Sequence, residues 1–114
     1  MEDNRDLPSD WVKLNVGGEK FYTTLKTLCK GDTKLSTMFS SQIPRAKDDN
    51  GFILIDRDGT HFNKILNYLR NAILPELKNE KEAKEIQCEA EFYCVEELKN
   101  YCIEELNAKN HAKK

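Results

Sequence analysis

A Gly-Gly pair at residues 17 and 18, set between two short strand-like runs, constrains this chain more than any other local feature. Upstream, Trp11-Val12-Lys13-Leu14-Asn15-Val16 alternates, with Val12, Leu14 and Val16 on one face, the period of a half-buried strand. Downstream, Phe21-Tyr22-Thr23-Thr24 is rich in aromatic and β-branched residues. Two glycines between such runs take positive φ without steric penalty, which predicts a tight hairpin. The string is not a phosphate loop, because it lacks the longer glycine spacing and the following Lys-Ser/Thr.

Helical spacing then takes over. Thr24 is placed to cap a short helix carrying Leu25, Leu28 and Cys29 inward, ended by Gly31. Asp32 or Thr33 caps a second, with Leu35, Met38 and Phe39 on its apolar side. The segment from Ser40 to Gly51 holds Pro44, Arg45, Lys47, Asp48, Asp49 and Asn50-Gly51, the chemistry of an exposed loop. Phe52 to Ile55 is a continuous apolar run and is predicted as a strand buried on both faces. Asp58 is predicted to cap a helix in which Phe62, Ile65, Leu66 and Leu69 share one face, stopping near Asn71 before Pro75. From Asn79 a charged stretch carries Ala83, Ile86, Ala90 and Phe92–Tyr93, with Glu80–Lys84 and Lys81–Glu85 spaced to pair. A last helix runs from about Val95 to Asn107 with Leu98, Cys102 and Leu106 facing in.

The order strand, strand, helix, helix, strand, then three helices predicts an α+β domain, a small three-stranded sheet beside five or so helices. The domain is expected over residues 10–107, with a flexible lead-in at 1–9 and a flexible tail at 108–114.

Composition narrows the function classes. A chain of 114 residues, 39% apolar and 33% charged with a formal net charge of -2, has a globular composition and no basic footprint for nucleic acid. Apolar runs of a few residues cannot span a bilayer, and the acidic N-terminus Met1-Glu2-Asp3 does not read as a secretory signal. Cys29, Cys88, Cys94 and Cys102 are read as free thiols of a reducing compartment, cytoplasmic with the nucleus as the alternative. No metal or cofactor is expected: there is no Cys-x-x-Cys, and His61 and His111 have no supporting motif. Helical phase makes Cys94 and Cys102 core or semi-buried thiols, while His61 is expected at the surface or an interface. Glu96-Glu97 and Glu104-Glu105 read as a solvated face. No catalytic constellation emerges, so binding rather than enzymatic chemistry is expected.

Three strings carry a family resemblance. They are Trp11 to Gly18 followed by Phe21, Thr23-Thr24 and Thr27-Leu28; Ile55-Asp56-Arg57-Asp58 followed by Phe62 and Ile65 to Arg70; and Glu89-Ala90-Glu91-Phe92-Tyr93. Through them the chain, from about residue 11 to 106, resembles BTB/POZ domains of the potassium-channel-tetramerisation (KCTD) type. Tyr22-Thr23-Thr24, Asp32-Thr33, Met38-Phe39-Ser40 and Leu74-Pro75-Glu76 are most similar to the BACURD-like branch, cullin-3 adaptors that direct Rho-type GTPases to ubiquitylation.

The resemblance implies a closed ring, a tetramer or pentamer, with Asn15, Gly17, Gly18, Asp56, Arg57, Asp58 and Arg70 at the oligomer interface. Against this stand simpler roles: a hairpin turn for Gly17-Gly18, a helix cap for Asp58 and a solvated or intramolecular partner role for Arg57. The resemblance further implies cullin-3 contacts at Phe39, Ile43, Arg45, Phe92 and Tyr93, with core packing as the competing role of the last two. The leading expectation is a cullin-3 substrate adaptor. The alternatives are a pure homo-oligomerisation module assembling a channel, receptor accessory or scaffold, and a transcription-linked BTB dimer. An adaptor also needs a surface for its substrate, and beyond Asn107 only a short basic tail is present. An excised domain, a substrate bound elsewhere, or a member that is no adaptor would each account for that.

Overall fold

The computed structural model describes residues 10–40 and 45–112. The hairpin forms as the alternation requires. β1 (Trp11–Val16) and β2 (Glu19–Thr24) run antiparallel, with Val16 opposite Glu19, Leu14 opposite Phe21 and Val12 opposite Thr23. Gly17 and Gly18 turn the chain at φ 61° and 100°. Leu14, Val16, Phe21 and Thr23 occupy the buried face. β3 (Ile53–Ile55) joins the other edge of β1 in parallel, with Leu14 beside Ile53 and Val16 beside Ile55, so the order is β2-β1-β3.

Between β2 and β3 lie α1 (Leu25–Leu28) and α2 (Lys34–Ser40). The Thr24 hydroxyl accepts from the Thr27 N–H at 3.1 Å, and the Thr33 hydroxyl accepts from the Ser36 N–H at 3.0 Å, so both predicted caps are made, the second by Thr33. Leu28 and Leu35 are buried, whereas Leu25, expected inward, is exposed, because a single helical turn has room for one inward position. After β3 come α3 (Phe62–Asn71), α4 (Glu80–Phe92) and α5 (Glu96–Ala112). With three strands and five helices among the described residues, the domain is α+β. Phe21, Phe62 and Tyr93 stack edge to face at 5.1 and 5.4 Å, tying sheet, α3 and the end of α4 into one core.

Three further sequence expectations need correction. β3 is not buried on both faces: Leu54 is 46% exposed, because helices cover only one side of the sheet. Asp58 does not cap α3. Its carboxylate instead takes the Thr60 N–H at 2.8 Å and the Thr60 hydroxyl at 2.6 Å, closing a turn, and the cap position falls on His61 without a side-chain bond. The last helix extends to Ala112, past Asn107. The lead-in at 1–9 lies outside the described residues.

Candidate interaction surface

The segment 55–60 is gripped from two sides. The Gly17 N–H donates to the Ile55 carbonyl at 3.1 Å, and the Arg57 carbonyl packs directly against the Gly17 Cα. On the other side Arg57 reaches α4. Its Nη2 and Nε donate to the two oxygens of the Glu89 carboxylate at 2.8 and 3.1 Å, a bidentate pair with Glu89 nearly buried. The carboxylate holds the guanidinium proton still more firmly than usual, raising the Arg57 pKa. The same guanidinium lies over the Phe92 ring, 4.2 Å from its centroid.

The implied oligomer-interface residues therefore divide. Asp56, Asp58 and the Gly17–Gly18 turn are exposed at one edge of the domain. Asn15 is half-buried and its side chain accepts from the Gly18 N–H at 2.8 Å, so it braces the turn. Arg57 is engaged within its own subunit, the simpler of its two roles. Arg70 likewise donates to the Tyr22 carbonyl at 3.1 Å and to Asn67 at 3.3 Å, pinning the end of α3 to the outer edge of β2.

The implied partner residues divide in the same way. Phe39 is half-buried with the Arg45 guanidinium 5.6 Å from its ring centroid, and Phe92 is half-buried at the end of α4. Tyr93 is fully buried, and that burial pushes its hydroxyl pKa up. It is a core residue and offers no partner surface. Ile43 lies outside the described residues.

Two residues missed as contributors at the sequence level stand beside this surface. In the sequence Glu89 stands out only as part of the Glu89–Tyr93 family string, and Lys34 carries no distinguishing signal. The Lys34 Nζ sits 4.0 Å from the Phe92 centroid, and the Lys34 backbone N–H donates to the Tyr93 carbonyl at 2.7 Å. Neither contact has a local sequence signal, since each joins residues far apart in the chain.

His61 is buried rather than at the surface, with its Nε2 2.9 Å from Glu85. Cys102 is buried, which raises its thiol pKa to about 11, but Cys94 is exposed, at φ 61° in the turn between α4 and α5. A concavity of about 490 Å³ between the end of α3 and the start of α5 has polar groups that already serve the fold: Lys30 donates to the Arg70 carbonyl at 2.9 Å and the Tyr68 hydroxyl bonds Glu97. Among the described residues no group of three or more His, Cys, Asp or Glu is placed to hold a metal ion, and no helix is long and apolar enough to cross a membrane.

The sheet is backed by helices and edged by exposed turns, and comparison with known proteins identifies the family to which it belongs. The BTB/POZ domain family model matches residues 12–103, and the chain belongs to that family. A human relative, "BTB/POZ domain-containing adapter for CUL3-mediated RhoA degradation protein 2", is 44% identical over 103 residues, covering 90% of this chain and 33% of its own. Its namesakes from Gallus gallus and Xenopus tropicalis are 44% identical over 96 residues and 42% over 104 residues, covering 84% and 91% of this chain and 31% and 33% of theirs. The chain spans about a third of the length of these curated relatives.

Proposed function

We propose that this domain is the assembly and cullin-binding module of a cullin-3 substrate adaptor, working in the cytoplasm by binding rather than by catalysis. The observation that carries this reading is 44% identity, over 90% of the chain, to a relative named as an adapter for CUL3-mediated RhoA degradation. Copies of the domain close into a ring, a tetramer or pentamer, through the edge bearing Gly17–Gly18, Asp56 and Asp58. Phe39 with Arg45, and Phe92, form the cullin-facing surface, to which the resemblance adds Ile43. A Rho-type GTPase is the recruited substrate, in line with the RhoA named for the human relative. A ring presents several cullin sites at once and turns weak substrate contacts into avid ones.

Titrating the domain with the N-terminal region of cullin-3, beside a native mass measurement, tests this. Binding with a dissociation constant on the order of tens of micromolar or tighter is expected from an assembled ring. Phe92→Ala is expected to weaken binding at least about tenfold while the circular dichroism spectrum stays intact. A ring that ignores cullin-3 would leave the pure assembly module as the reading. A monomer at high concentration would overturn both.

A further inference from the structure

Phe92 ends α4, and a helix terminus by itself does not fix the tilt of an aromatic side chain. Here the ring is held from outside its helix. The Arg57 guanidinium lies 4.2 Å from its centroid, the Lys34 ammonium 4.0 Å, and the Tyr93 ring meets it edge on at 5.0 Å. Arg57 is itself locked, because Glu89, one turn earlier on α4, takes two of its N–H groups at 2.8 and 3.1 Å. A planar guanidinium can give parallel hydrogen bonds to a carboxylate and lay its face on a ring at once; an ammonium group offers neither the parallel fork nor a plane to stack. The backbone that carries Arg57 is held as well, since its carbonyl rests on Gly17 and the Ile55 carbonyl accepts the Gly17 N–H at 3.1 Å.

From this geometry we infer that Arg57 is a positioning residue, which holds the half-exposed Phe92 ring in the orientation that meets the partner. The partner assignment rests on the cullin-3 reading above. Because Arg57 lies between Asp56 and Asp58, the same side chain ties this aromatic to the edge through which copies assemble.

The discriminating variant is Arg57→Lys, which keeps the charge and loses both the fork and the plane. Affinity for the cullin-3 N-terminal region is measured for wild type, Arg57→Lys, Phe92→Ala and the double variant, with native mass recorded for each. Phe92→Leu replaces Phe92→Ala if the latter does not fold. A 4-fluorophenylalanine placed at position 92 reports on the ring directly.

Arg57→Lys is expected to stay assembled, to shift the fluorine resonance, and to weaken cullin binding by about tenfold. In the Phe92→Ala background it is expected to add no further loss, the signature of one residue acting through another. A fluorine resonance unmoved by Arg57→Lys, or the same loss of affinity in both backgrounds, would overturn the inference. A wild-type ring that binds no cullin-3 overturns the adaptor reading and the partner assigned here. A shifted fluorine resonance in that sample would still support the clamp.

Discussion

Gly17 shows how one position serves both the turn and the surface beyond it. A Cβ placed there would stand 2.2 Å from the Arg57 carbonyl oxygen, and one on Gly59 would stand 2.5 Å from the Val16 carbonyl oxygen, so the hairpin and the 55–60 segment interlock backbone to backbone. Gly17→Ala is expected to destabilise the domain by about 2 kcal/mol or more in chemical denaturation, from the clash added to left-handed strain. Gly18→Ala, with open space around it, is expected to cost less. The turn was legible in the sequence; the interlock was not, because nothing in a local window says which backbone will pass nearby. Tyr93 is a different case. Ala83, Ile86 and Ala90 form a buried stripe at steps of three and four, and the next step lands on Tyr93 and not on Phe92. That signal was present, and it separates the core ring from the half-exposed one. The Arg57–Glu89 pair, 32 residues apart, had no such signal.

Among the elements, α4 is the best specified. The Asn79 side chain accepts from the Glu82 N–H at 2.7 Å, and the Glu82 carboxylate accepts from the Lys78 N–H at 2.8 Å, so the cap satisfies one free N–H of the first turn and one just ahead of the helix. The pairs Glu80–Lys84 and Lys81–Glu85 form at 3.3 Å each, as their spacing predicted. Asn79→Ala is expected to lower stability by about 1 kcal/mol, read as a shift in the denaturation midpoint with unchanged slope. α3 shows where cap logic fails. Asp58 has the right chemistry but lies four residues ahead of Phe62, and it satisfies Thr60 instead. β3 shows the limit of reading a short apolar run, since four consecutive apolar residues look the same whether one face is covered or two. Here Leu54 points away from the helices.

At the scale of the whole molecule, several carboxylates are held below their ordinary pKa. For Asp48 the main cause is the Phe52 N–H, for Asp58 the Thr60 hydroxyl, for Glu82 the Lys78 N–H and for Glu85 the His61 ring. A group whose folded pKa is depressed lends stability that is present above its unfolded value, 3.8 for Asp and 4.5 for Glu, and lost as pH falls through the folded value. The melting temperature is therefore expected to hold between about pH 7 and about pH 5 and to fall below about pH 4. Replacing Glu82 by Gln should shallow that fall, and an acid limb unchanged by the substitution would remove Glu82 from the account. The sheet has a consequence for how the chain is made. β1 pairs with its hairpin partner immediately, but β3, whose Ile53 lies beside Leu14, is translated 39 residues later. During synthesis one edge of β1 stays open until Ile55 has left the ribosomal tunnel. In that interval the growing chain exposes an unsatisfied strand edge that a neighbouring nascent copy could pair with, so the order of translation sets a window in which wrong pairing competes with folding.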